Sequence, residues 1–220
     1  MYPAATLFSA CKQMLQSLGA VLCLACGLAI ACSASAQPYW VAQVGGTGND
    51  LVSAVRTTAD GSIYVTGEFS GGITLGGSSF QSVGSLDAFV AKLGQAGDLI
   101  WFTQAGGAGI DRGLKVDVSE SGTVAWVGEF LGTLTIGAQQ LVSAGGTADM
   151  FVASLSASTG AVQWVRKGGG AAGTDRPNGV SIAPDGSICV VGEFRGNASW
   201  GSITLTSETD PVTGTPSTDV

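Results

Sequence analysis

The residues of this chain best suited to chemistry are acids that recur at a nearly constant interval. Gly67-Glu68-Phe69 returns as Gly128-Glu129-Phe130 and again as Gly192-Glu193-Phe194. Carboxylates gathered around a common axis could hold a cation or a polar ligand. Paired acids can also do general acid and base work without histidine, as in glycan cleavage. Asp50, Asp111 and Asp175 recur in step with the glutamates, each after a Gly-Gly pair. Carboxylates in Gly-rich loops suit Ca²⁺. Asp87 and Asp149 open matching Asp-x-Phe-Val runs at the same interval. Trp40, Trp101 and Trp164 keep that interval too, and offer faces on which a sugar could stack.

A plainer reading is preferred for each. A residue present in every unit serves the unit's own geometry more readily than one shared site, and function usually sits on variable loops. Glu68, Glu129 and Glu193 are expected to end strands and accept hydrogen bonds from the following loop. Asp50, Asp111 and Asp175 supply one acid per loop without Asp-x-Asp-x-Asp spacing, so turn capping is expected, and the same holds for Asp87 and Asp149. The repeated tryptophans have apolar neighbours and should pack between units. Trp126 and Trp200, at positions where other units have Tyr64 or Leu75, read as core filling. Cys189, in Ser187-Ile188-Cys189-Val190-Val191, reads as a small buried hydrophobe. The chain has no histidine, which removes Ser-His-Asp and Cys-His chemistry and His-based zinc sites. It also lacks a Gly-x-Ser-x-Gly elbow and a phosphate-binding loop. The sequence assigns no catalytic, cofactor-binding or metal residue, no cofactor and no enzymatic activity.

The elements that carry these residues read as short strands. Trp101 to Gln104 leads to the Gly106-Gly107 turn, and Leu114 to Val118 forms the next strand. Glu120-Ser121-Gly122 turns tightly into Thr123 to Phe130. The corresponding turns, Ala59-Asp60-Gly61 and Pro184-Asp185-Gly186, also supply the φ > 0 position of a short hairpin. Leu131 to Leu141 is a smaller hairpin. Asp149 to Leu155 is the last strand, and Ala157-Ser158-Thr159-Gly160 turns into Trp164. Ile63 and Val65 point one way and Tyr64 the other, so both sheet faces are apolar and need cover. Units of about 62 residues achieve this by stacking on one another. The fold expected is all-β, with β-propeller-type repeats forming about three four-stranded blades in an incomplete ring. The units are roughly 38–99, 100–162 and 163–220, the last incomplete. No amphipathic helical pattern follows residue 36.

The run "DGSIYVTGEFSGGITLGGSSFQSVGSLDAFVAKLGQAGDLIWFTQAGG" and its counterpart "SGTVAWVGEFLGTLTIGAQQLVSAGGTADMFVASLSASTGAVQWVRKGGG" resemble the bacterial β-propeller repeat known as the SBBP repeat. A third copy, "DGSICVVGEFRGNASWGSITL", is incomplete. The resemblance covers essentially residues 38–210. It implies a secreted or cell-surface bacterial module and supplies no catalytic residues. A propeller of typically four to eight blades is not closed by three. A fragment of a longer propeller is the preferred explanation. Chains that associate through open blade edges, or a threefold β-prism or trefoil, are the alternatives.

Residues 1–36 read as a signal peptide. Lys12 precedes an apolar run from Leu15 to Cys32, and Ala34-Ser35-Ala36 is an A-x-A cleavage pattern. A transmembrane anchor is the competing reading. Ala29-Ile30-Ala31-Cys32 resembles a lipobox, which would make Cys32 a lipidation site. Of five cysteines only Cys189 lies beyond this segment, so the fold needs no internal disulfide. Without Lys12 the formal charge falls from −7 to −8, which opposes nucleic acid and anionic lipid. The sequence therefore predicts an exported, non-catalytic structural or binding module, secreted or at the cell surface, with a protein or glycan partner. A carboxylate-based glycan enzyme or a lectin-like β protein is the alternative.

Overall fold

A computed structural model describes residues 21–25, 28–32, 43–209, 211, 213 and 215–220, the first two stretches as backbone alone. Most of the segment expected to direct export lies outside the described residues, as do the side chain of Cys32 and all of Trp40. The chain divides into two units at Trp40. In the first, β1 (Val21–Ala25) pairs with β2 (Leu28–Cys32). The second unit carries the repeats. Among the described residues every regular element is a strand, and none is a helix long and apolar enough to cross a membrane.

After β3 (Gly45–Gly46), the first blade contains β4 (Asp50–Thr57) and β5 (Ile63–Phe69). A small hairpin follows, β6 (Gly72–Leu75) and β7 (Ser78–Gln81), and then β8 (Asp87–Leu93) and β9 (Leu99–Gly106). The second blade repeats this order with β10 (Asp111–Val118), β11 (Thr123–Phe130), hairpin β12 (Thr133–Ile136) and β13 (Gln139–Val142), β14 (Asp149–Ser156) and β15 (Val162–Gly169). The third holds β16 (Arg176–Ile182), β17 (Ile188–Arg195), hairpin β18 (Asn197–Trp200) and β19 (Ile203–Thr206), and the short β20 (Thr218–Asp219).

Four strands pair antiparallel in the order β4-β5-β8-β9, and likewise β10-β11-β14-β15. By pairing, a blade therefore begins at the repeated Asp, and the strand carrying the repeated Trp closes a blade. The small hairpin leaves its own blade and joins the outer strand of the one before. Thr135 and Ile136 of β12 pair with Gly106 and Ala105 of β9, and Trp200 and Ser199 of β18 pair with Gly168 and Gly169 of β15. Alternation explains this docking: in Thr133-Leu134-Thr135-Ile136 the threonines face solvent while Leu134 and Ile136 are buried. Each inner strand also bulges three residues after its Asp, at Ser53, Leu114 and Asn178. The turn glycines Gly61, Gly122 and Gly186 have φ of 80°, 87° and 87°, as their hairpins require.

The core lies between blades. Tyr64, Ala88, Val90 and Trp101 of the first blade meet Val124, Trp126, Phe130, Phe151, Ala153 and Leu155 of the second. The opposite face of the first blade presents Val65, Phe69, Phe89, Ala91 and Leu93, covered in part by Ile73 and Leu75 of its hairpin. Full burial of each large apolar side chain contributes about 1.5–3 kcal/mol, so these two layers dominate stability. A buried polar link crosses the first layer: Trp126 Nε1 donates to Thr66 Oγ1 at 2.7 Å, and Thr66 Oγ1 donates to the Phe89 carbonyl at 2.7 Å. Trp126 stands at the place of Val65, not of Tyr64, since Trp126 pairs with Ala153 and Val65 with Ala91.

The sequence expected Cys189 to be buried, but it is exposed. It lies on the face of β17 that corresponds to Tyr64, and among the described residues no following blade covers that face.

Candidate functional site

The strand register brings the repeated acids into two separate arrangements. The first runs along the innermost strands. Glu68 is the last residue but one of β5 and Glu129 that of β11, and Arg112 sits one residue after the Asp that opens β10. Arg112 lies opposite Glu129 in its own blade, with Nη1 2.6 Å from Glu129 Oε1. Its Nε reaches back to Glu68 Oε2 of the preceding blade at 3.0 Å. Arg176 repeats the gesture, with Nε 3.7 Å from Glu129 Oε2. Burial works against the Arg112 charge, yet Glu129 and Glu68 hold it above its ordinary range. Glu68 and Glu129 are thus engaged by arginines, where the sequence suggested loop amides. The reason is register, because an Asp-Arg pair opening each following blade puts a guanidinium beside each Glu. Leu51 takes the arginine's place in the first blade, and Glu193 lies opposite Arg176. Arg112, Lys115, Arg176, Asn178, Ser53 and Glu68 line a polar cavity of about 260 Å³ here. Deeper along the same strands, Arg56 Nε pairs with Asp117 Oδ1 at 3.0 Å, and Asp117 Oδ2 accepts the Ile182 amide at 2.8 Å. Three blades are thereby tied through one acid.

The second arrangement sits at each blade junction. The Asp opening the third strand of one blade meets the Asp opening the first strand of the next. Asp149 Oδ1 and Asp175 Oδ2 flank Gly169 so closely that a Cβ there would lie 2.7 Å from each. Asp87 and Asp111 form the same pair beside Gly106 and Gly107. All four are fully buried. Three of them cap turns: Asp87 Oδ2 accepts the Val83 amide at 2.9 Å, Asp149 Oδ2 the Ala144 amide at 3.0 Å, and Asp175 Oδ2 the Gly170 amide at 2.8 Å. Asp50 Oδ2 accepts the Gly46 amide at 2.7 Å. The pairing of acids across junctions was missed at the sequence level. The signal was present, since both Asp series share one period and bracket the strand with the repeated Trp.

The junctions differ in charge. Lys167 Nζ lies 2.9 Å from Asp149 Oδ2, whereas Gln104 holds the equivalent place and donates to Asp87 Oδ2 at 2.5 Å. Burial pushes Asp111 up to about 7, and the Asp87 charge adds to the rise. Burial also raises Asp175, where Lys167 offsets part of the effect. An acid near 7 has the acidity of a general acid or base. This one is sealed under Gly106 and Gly107, so its evident effect is on the junction.

The tryptophans face other blades. Trp101 Nε1 donates to the Ala157 carbonyl in the turn of the next blade at 3.1 Å, and Tyr64 meets Trp101 edge to face at 5.9 Å. Trp164 is partly exposed, with Arg166 5.8 Å above its ring. Among the described residues no group of three acidic or sulfur side chains is placed to hold a metal.

No family model matches the chain. A 98-residue stretch, 41% of this chain, is 28% identical to an uncharacterized WD repeat-containing protein, L264, of Acanthamoeba polyphaga mimivirus. The match covers 7% of that protein. Joined to stacked antiparallel blades with a common register, this similarity describes an all-β chain of β-propeller-type repeats.

Proposed function

We propose that the chain is an exported, non-catalytic repeat module of the SBBP type that acts as a binding scaffold at the cell surface or outside the cell. One observation carries this reading: the repeated acids are engaged by the scaffold itself. Glu68 binds Arg112 of the following blade, Glu129 binds Arg112 of its own blade and meets Arg176 of the next, and the four junction aspartates are sealed beneath glycines. Repeats whose recurring chemistry maintains their own geometry leave recognition to the loops between strands. The partner is a protein or glycan, in keeping with a net charge of −7 that disfavours nucleic acid.

The test has two arms. Residues 1–36 fused to a reporter that is active only after export should yield activity, and a cytoplasmic reporter would overturn the compartment. The purified repeat region should bind one or more surface proteins or glycans in a direct screen. Turnover of a glycan, abolished by Glu129→Gln without loss of fold, would replace the scaffold with an enzyme.

A further inference from the structure

We propose that the polar cavity on the innermost strands is a binding site for a single hexuronate, a sugar ring that carries a carboxylate. Its walls come mainly from β4, β10 and β16, the first strands of three successive blades. Each of these strands pairs with the second strand of its own blade, and the lining residues fall between Leu51 and Asn178. The three bulges meet here. Ser53, Leu114 and Asn178 are the extra residues of the three strands, and all three line the cavity of about 260 Å³. A bulge leaves its extra residue out of the ladder and re-aims its side chain.

Two features mark this place as one of recognition. The first is variation at a fixed position. The glycine paired just before each bulge is the same in all three blades, as Gly67, Gly128 and Gly192. The bulged residue is serine, leucine and asparagine in turn, and the residue after it is alanine, lysine and glycine. A rigid scaffold that presents different side chains at one level suits binding. The second feature is uncompensated charge, in a chain whose net charge is −7. Arg112, Lys115 and Arg176 bring three cations to the lining and Glu68 one anion. Arg112 is held by Glu68 at 3.0 Å and by Glu129 at 2.6 Å. Arg176 reaches Glu129 only at 3.7 Å, beyond a charge-assisted hydrogen bond. Lys115 has no ion pair or hydrogen bond among the described residues, and the side chains of Ser53 and Asn178 have no hydrogen bond there. Glu193, opposite Arg176 in register, is not part of the lining. One cation is left over after Glu68 and Glu129 are both counted.

These groups define the ligand. The Lys115 ammonium and the Arg176 guanidinium suit a carboxylate. The Ser53 hydroxyl and the Asn178 amide both donate to and accept from sugar hydroxyls. Leu51, Leu114 and Pro177 offer apolar surface to the C–H face of a ring. The volume lies below the roughly 300–1,000 Å³ of sites for drug-sized ligands, so one ring is held and not an oligomer. A simple inorganic anion would leave the hydroxyl partners and the apolar wall unused. The site lies on strands and not on the loops invoked above, so either reading can fail alone.

The probe is sodium glucuronate, titrated into the purified chain by calorimetry at low ionic strength. It should bind saturably at one site per chain. Glucose and acetate should each bind about tenfold more weakly, because each lacks part of what the cavity recognises. Lys115→Gln and Asn178→Ala should each weaken glucuronate about tenfold. Lys115 is partly exposed and Asn178 exposed, so both variants should unfold thermally as the parent does. A partner bound through the loops should be retained by both. Absence of saturable glucuronate binding would overturn the proposal, as would glucose binding equally well. Acetate or phosphate binding as tightly as glucuronate would reduce the cavity to a simple anion site and overturn it. Unchanged affinity in both variants would place the sugar elsewhere, with the same consequence.

Discussion

Replacing Asp111 by asparagine tests the electrostatics of the blade junction. Asp111 is fully buried against Asp87, and burial followed by the Asp87 charge lifts its carboxyl to about 7. In the unfolded chain it titrates near the ordinary aspartate value of about 3.9. Between these values the folded chain keeps a proton that the unfolded chain has released. Stability therefore falls as pH rises from about 4 to about 7, and the cost is complete above that. Three pH units correspond to ~4 kcal/mol, reduced to ~3 kcal/mol once solvent screening is allowed for. Asparagine removes the charge and forfeits no hydrogen bond of good geometry, because both Asp111 oxygens are buried without a partner. Asp111→Asn should then be more stable than the parent by about 3 kcal/mol at pH 8 and nearly equal to it at pH 4. In a chain of this size the gain at pH 8 raises Tm by roughly 6–12 °C. Thermal unfolding followed by circular dichroism at both pH values reads the change. A difference of constant size across this range would refute the reasoning, because a change in packing alone does not depend on pH.

Lys167→Gln gives the second junction the composition of the first. It should destabilise by about 2 kcal/mol at pH 7, as read by the urea midpoint. Trp126→Phe should cost about 2 kcal/mol and Thr66→Val about 1 kcal/mol. The double variant should cost less than their sum, since both remove one buried bond between blades. Arg112→Ala should cost about 3 kcal/mol by leaving Glu129 buried without its 2.6 Å partner, and Arg112→Lys should recover less than half of that loss in chemical denaturation.

Strands, turns and period were legible because they rest on local rules. Alternation set the faces of Ile63, Tyr64 and Val65, and turn glycines set the hairpins. The position where Asp219 resumes the pattern could be read from spacing alone, and the register places it opposite Phe194. Other features depend on pairing between segments distant in sequence. That the small hairpin joins the preceding blade follows from β12 meeting β9, which no local pattern encodes. The partners of the glutamates were likewise hidden: Glu68 and Arg112 lie far apart along the chain and meet only because blades stack. Cys189 misled for a related reason. Its apolar neighbours mark a strand, but whether a strand face is covered depends on what lies beside it.

The hairpin that each unit lends backwards makes the array directional. Unravelling a repeat takes away the outermost rungs of its predecessor, while the predecessor lends nothing forward of the same kind. Melting should hence spread more readily from the C-terminal side towards the N-terminal side than in reverse. A unit excised from the middle would leave its upstream neighbour trimmed unless the cut falls between corresponding points of the period. Whole-period gains and losses are therefore the changes that such a chain can absorb with its sheets intact.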